Sequence, residues 1–348
     1  MKLLKNMDNL LDELLKEPSP SGYEENVQSL FKEAITPFVD NIEVDTMGNA
    51  IAMRQGPEGS HKVMVSAHCD EVGFLVSSID EQGFLYVQEV GGIDTDLLPG
   101  RKVCIHTAHG VEFGVFGKKA IHLTKDDEKK KLEINDIWLD IAAENKADAE
   151  KRVQIGDCVT FTKDVVNYDN GLVASPSCDD KIGVWTMIEL AKRLAGKSLD
   201  CSIYFVSTCQ EELGARGAKT AADHIHPDVA FAIDVTHATD YPTADTRMVG
   251  NIKLGQGAVI TMGPNINKEV CNRLRSVVGD TAVQFEVIAR PTGTDANVIQ
   301  LSSCGVKTAL VSIPCRYMHT PYEVVSLKDA QSAAELLYNY IESTYKVI

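Results

Sequence analysis

Apolar residues recur at helical spacing over residues 3–15 and again over 24–38, with the breaker PSPSG between them. Two amphipathic helices are predicted, followed by a β-rich stretch. Residues 62–66 form a short continuous apolar run ending in AHCDEVGF. Such a run predicts a buried strand that delivers His68 and Asp70 to its C-terminal end, where open α/β sheets place their ligands.

From about residue 71 to 163 the rhythm shortens. The alternating runs FLYVQEV, KVCIH, GVFG and CVTFT are broken by Gly, Asp and the charged run KDDEKKK, which reads as solvated. An inserted all-β module is predicted. After residue 175 strand and helix alternate again, with the helix DKIGVWTMIELAKRLAG, the strands SIYFVST, VAFAID and TALVSI, and a last helix over 327–345. No internal repeat is visible.

Composition narrows the function more than the fold. With 348 residues, 44% hydrophobic and 24% charged, the chain can bury a large α/β core and a smaller second module. Its net charge of −16 argues against nucleic acid and anionic membranes as partners, because the long-range field repels polyanions. Nine scattered cysteines read as free thiols of a reducing compartment rather than a disulfide framework. The first residues carry acids among their leucines and no apolar signal core, and no apolar run approaches the ~18 residues of a membrane span. A cytoplasmic location is the expectation.

The candidate chemistry lies at strand ends. His68 follows one predicted strand, Glu211 and Glu212 a second and Asp234 a third, and His319 lies beyond a fourth. Such positions converge on one rim of a sheet. Two histidines and several carboxylates without cysteine suit zinc, cobalt or manganese, and one ion alone would leave acids unused. Taken singly, each feature has a plainer reading. His68 and Asp70 could be a surface pair, Glu211 and Glu212 a solvated turn, Asp234 and His319 ordinary loop residues. Asp179 and Asp180 stand where a helix begins and read first as its cap.

In combination the motifs AHCDEVGF, SCDDKIG, QEELGARGA, AIDVTH, GTDAN and IPCRYMHTP resemble the glutamyl-aminopeptidase and tetrahedral-aminopeptidase family of dinuclear metallopeptidases, some of whose members are named endoglucanases. The resemblance spans nearly the whole chain. It implies an α/β catalytic domain with a central mixed sheet flanked by helices, as in zinc peptidases, made of residues 1–70 and 168–348. Residues 71–167 would be an inserted β-barrel-like oligomerisation domain. It further implies two divalent ions, zinc first, with cobalt or manganese as alternatives. One would be held by His68 and Asp234, the other by Glu212 and His319, and Asp179 would bridge both. Asp70 would orient His68, and Glu211 would be the general base. The implied substrates are short peptides, the implied assembly a homo-oligomer from dimer to tetrahedral dodecamer, and the Asp179–Asp180 peptide is expected to be cis. Lys181 stands where the family often has arginine, and Cys69 and Cys178 sit inside its motifs as buried filler.

Three rival readings remain at this stage. An endoglucanase-type glycosidase would use Glu211 and Glu212 as acid and base, but its carboxyls must flank one bond at roughly 5–9.5 Å, and neighbours on extended backbone point apart. A non-haem iron oxygenase built on His68, Asp70 and His319 would predict a jelly roll. A catalytically inactive metal-binding relative would have no use for Glu211.

Overall fold

The computed structural model describes residues 2–123 and 131–347. Most of the charged run KDDEKKK lies outside the described residues. The chain opens with α1 (Lys2–Lys16) and α2 (Glu25–Ile35), then the hairpin of β1 (Asn41–Val44) and β2 (Ala50–Arg54), then β3 (His61–His68). The amphipathic pattern does its expected work here, since Leu11, Leu14, Leu15, Val27 and Phe31 all go into the core.

The shortened rhythm becomes β4 (Gly73–Ile79), β5 (Leu85–Val90), β6 (Lys102–Thr107), β7 (Gly110–Lys118), β8 (Ile137–Asp140), α3 (Lys146–Arg152) and β9 (Cys158–Phe161). The six strands close a barrel in the order β4-β5-β8-β7-β6-β9. Phe74 fills it, edge-on to Phe116 at 5.0 Å and to Phe161 at 5.8 Å. The stretch is not all β as expected. Helix α3 escaped notice because it buries only Ala149 and has no apolar stripe, and it starts on the Asn145 side chain, which accepts the Asp148 N–H.

The rest of the chain supplies β10 (Val166–Asn167), β11 (Leu172–Ser175), α4 (Cys178–Leu194), β12 (Cys201–Thr208), α5 (Arg216–Ile225), β13 (Val229–His237), α6 (Thr246–Val249), β14 (Ala258–Met262), α7 (Lys268–Ser276), β15 (Val283–Val287), α8 (Asp295–Ile299), β16 (Lys307–Arg316), β17 (Glu323–Ser326) and α9 (Leu327–Tyr345). The main sheet runs β1-β2-β12-β3-β13-β16-β17-β11-β10, with β14 and β15 attached beside β16. Its centre, β12-β3-β13-β16, is parallel, and its flanks are antiparallel. This is a mixed sheet with helices on both faces, not the jelly roll that an oxygenase reading required.

Alternation along the central strands splits the interior in two. Val63, Val65 and Ala67 of β3 face the larger core with α1, α2, α4 and α9, while Met64 faces a smaller core of alanines from α5. α4 is buried nearly all round, which is why its polar stripe is hard to see in the sequence. Among the described residues no helix is long and apolar enough to cross a membrane.

Candidate active site

His68 is the last residue of β3 and shares the face of Met64, toward the smaller core. On β13, Phe231, Ile233 and Val235 face the larger core, so Asp234 and Thr236 emerge on the same side as His68. Glu211 and Glu212 follow the end of β12, Asp179 lies in the first turn of α4, and His319 follows β16. All these side chains line one cavity of about 560 Å³ at the C-terminal rim of the parallel strands, walled on its outer side by residues 286–294.

Asp179 is the hub. Its Oδ1 lies 3.0 Å from His68 Nε2, and its Oδ2 lies 3.3 Å from His319 Nε2. His319 Nε2 is also 3.4 Å from Glu212 Oε1, and His68 Nε2 is 3.8 Å from Asp234 Oδ1. The Asp179–Asp180 peptide is cis. The two acids of this pair part ways: Asp180 Oδ1 accepts the Gly183 N–H at 3.1 Å, the capping role read from sequence. A Cβ on Gly183 would sit 2.2 Å from Asp180 Oδ2, so only glycine fits beside that carboxyl. Asp180 nonetheless stays close enough to His68 and Asp234 to join their cluster.

The divergence of Glu211 and Glu212 has a different cause from the one expected. They stand in a turn rather than on a strand, entered through Gln210 at φ 54°. The carboxylate of Asp70 accepts both of their backbone N–H groups, at 2.9 Å and 3.1 Å, together with the Ser21 hydroxyl at 2.6 Å. His68 turns its Nδ1 to the Asp70 carbonyl oxygen at 3.0 Å. Asp70 thus ties the histidine to the paired glutamates. Gly217 helps hold this turn, since a Cβ there would meet the Cys209 carbonyl at 2.4 Å.

Burial and crowding set the charges. Burial pushes the Asp179 carboxyl up, but the hydrogen bonds from His319 and His68 outweigh it and hold it below the usual carboxylate range. Burial works against the His319 cation, yet Asp179 and Glu212 raise its pKa to about 11. Asp180, Asp234 and Glu211 lie well above their ordinary values because they are buried and close to other acids. Glu212 is raised by burial too, with His319 opposing. Glu211 makes no side-chain hydrogen bond or ion pair among the described residues, so its carboxyl is free toward the cavity.

The donor set fits divalent metal ions. Asp179, Asp180, Glu211, Glu212 and Asp234 crowd around the imidazoles of His68 and His319, and among the described residues no lysine or arginine forms an ion pair with them, an excess of negative charge that a low-dielectric site does not retain without cations. Nitrogen and oxygen donors without a thiolate suit borderline ions. His68 groups with Asp180 and Asp234 on one side and with Asp179 and Glu212 on the other, within 4.8 Å in each case.

Residues 48–336 match the M42 glutamyl aminopeptidase family. The chain belongs to that family. The M42 chain is 35% identical to the lysyl aminopeptidase of Pyrococcus furiosus over 343 residues, 96% of each chain. Among solved structures, an aminopeptidase from Desulfurococcus kamchatkensis superposes with a TM-score of 0.91 at 35% identity, covering 98% of this chain and 96% of that one. The TET1 peptidase of Pyrococcus horikoshii, described as assembling into a tetrahedron or a large octahedral shell, gives 0.85 at 32% identity, over 96% and 99%.

Two supporting residues of this M42 site escaped the sequence reading. Glu323 lies at the end of IPCRYMHTPYE and is buried; its Oε2 accepts the Asp179 N–H at 2.9 Å and its Oε1 the His319 N–H at 2.8 Å. It therefore fixes the hub and its histidine together, and burial beside Asp179 pushes its own pKa up to about 8. Ser21, the other, stood inside the PSPSG breaker, where a serine reads as turn material.

Proposed function

We propose that this M42 chain is a metal-dependent aminopeptidase that removes single N-terminal residues from short peptides, with two divalent ions, zinc first, held by His68, Asp179, Glu212, Asp234 and His319. The observation that carries this reading is the Asp179 carboxylate, whose two oxygens are divided between the two histidines, the arrangement expected of a group shared by two cations. Bound there, such ions would polarise a scissile carbonyl and lower the pKa of an attacking water.

The chain's own residues supply the remainder. Glu211 lines the cavity with a carboxyl that makes no hydrogen bond among the described residues and whose pKa burial raises, which leaves it placed to take and return a proton. It accepts the proton of the attacking water and delivers it to the departing amine. Asp70 holds the backbone of Glu211 and the ring of His68 in mutual register, and Glu323 does so for Asp179 and His319. The acidic rim favours the protonated α-amino group of a peptide over an internal segment, which lacks that charge.

Residues 71–167 belong to this reading as an assembly module. Val111, Phe113 and Val115 alternate on β7 and stay about half exposed, at 53%, 51% and 45%, which forms an apolar stripe on the barrel wall. A homo-oligomer that covers this stripe accounts for it, and a cytoplasmic location accords with the free cysteines.

The test compares aminoacyl anilides with carboxymethylcellulose, each with and without a chelator. Anilide turnover that vanishes on chelation and returns with zinc, cobalt or manganese supports the reading. Release of sugar ends would return the glycosidase.

A further inference from the structure

Beyond the cluster of acids and histidines, the same cavity ends on a carboxylate with no assigned part. Glu286 on β15 is 3% exposed, yet it lines the cavity. Its Oε2 accepts the Thr236 hydroxyl at 2.7 Å and its Oε1 accepts the Thr261 hydroxyl at 2.5 Å. Two accepted hydroxyls are the pattern of a carboxylate, which has about four lone-pair sites and so keeps acceptor capacity on both oxygens. Among the described residues it makes no ion pair. Arg290, which lines the same cavity, is exposed and stands at the rim.

A carboxylate taken out of water without a cation is costly, so a fold that keeps one facing a cavity leaves the cation to come with the ligand. Its place in the cavity says which part of the ligand. Asp234 and Thr236 are two apart on β13 and share a face. Thr236 stands one two-residue strand step, ~6.6 Å, beyond Asp234 along β13, and it is the Thr236 hydroxyl that Glu286 accepts. That step is comparable to the reach of a four-carbon lysine stem. The α-amino group of a peptide must stay beside the bond that is cut, near Glu211 and Glu212. The walls between are apolar and adaptable, with Leu310, Met318 and Ile288 lining the same space.

We infer that Glu286 is a specificity-determining residue that receives the cationic side chain of an N-terminal lysine or arginine. This deepens the aminopeptidase reading and rests on it.

The experiment measures kcat/KM of the metal-loaded enzyme for lysyl, norleucyl and glutamyl anilides, because norleucine keeps the stem and drops the charge. Free lysine and norleucine are also titrated by calorimetry, which needs no turnover. The wild type should favour lysine over norleucine by at least tenfold in both measurements, with glutamate poorest. Glu286→Gln should lower the lysine-to-norleucine ratio by tenfold or more, whereas a purely structural role would reduce both substrates together and leave the ratio in place. A wild type that prefers norleucine or glutamate overturns the assignment and leaves the aminopeptidase reading standing, and so does an unchanged ratio in the variant. If no anilide is cut, both fall. Should the variant not fold, the wild-type ratio and the calorimetry decide alone.

Discussion

The carboxylate of Asp70 accepts the backbone N–H of Glu211 at 2.9 Å, while the Asp70 carbonyl oxygen faces His68 Nδ1 at 3.0 Å. One residue therefore sets the position of a proposed base and the ring orientation of a proposed ligand. Asp70→Asn replaces one of two acceptor oxygens by a donor that confronts an N–H of the glutamate turn. The expected result is a ~10–100-fold loss in kcat/KM with weakened metal binding, at near-normal melting temperature. Kinetics together with metal titration check it.

Glu211→Gln and Glu212→Gln should differ in kind. The first keeps size and removes the proton acceptor, so kcat should fall by ~10²–10⁴ while metal content stays at the wild-type level. The second removes a charge beside His319 and should lower occupancy, with activity partly restored by added metal. Kinetics and elemental analysis on both variants settle the roles, and the reverse pattern would exchange them.

Acid stability should depend on Glu71. This carboxyl is buried against Lys163 and Lys181, the latter at 3.3 Å, and accepts the Ser19 N–H at 2.8 Å. Burial raises its pKa, but Lys163 and Lys181 bring it down to about 2. A depressed folded value means that the contribution is present above the unfolded value of ~4.3 and is lost as pH falls toward 2. Glu71→Gln leaves two buried ammonium groups unpaired and should cost about 3–5 kcal/mol at pH 7. Melting curves should show that gap narrowing between roughly pH 4 and pH 2.

Assembly should depend on the barrel stripe. Phe113→Glu places a charge between Val111 and Val115 without touching the barrel interior, where Phe74 and Phe116 pack. Light scattering should show smaller particles than the wild type at equal helix content, and an unchanged large particle would locate the contact elsewhere.

Legibility in the sequence followed physical type. Strands β3, β12, β13 and β16 were visible because strands buried on both faces read as continuous apolar runs, and their ends gave His68, Glu211, Glu212, Asp234 and His319 directly. α5 was not, because apart from Ile225 its buried face is alanine and glycine, which carry little hydrophobic signal. Asp179 and Asp180 look alike in sequence, and only the fold sends one to the histidines and the other to Gly183. Glu286 stands in the alternating run VQFEV, where an acid reads as solvent-facing, and Glu323 closes the run IPCRYMHTPYE, yet both are buried and bonded. Burial of a single acid depends on partners far along the chain, which local pattern does not report.

The central claim, hydrolysis from a free N-terminus at a metal site, is tested most directly by mass spectrometry of one peptide in two forms. A short peptide beginning with lysine and its N-acetylated twin are each incubated with enzyme, with and without chelator. The free peptide should lose residues one at a time from its N-terminus. The acetylated one should survive, because it brings no α-ammonium group to the acidic rim formed by Glu211, Glu212 and Asp234. Chelation should stop the loss. Internal cleavage, equal attack on both peptides, or turnover that persists in chelator would contradict the account.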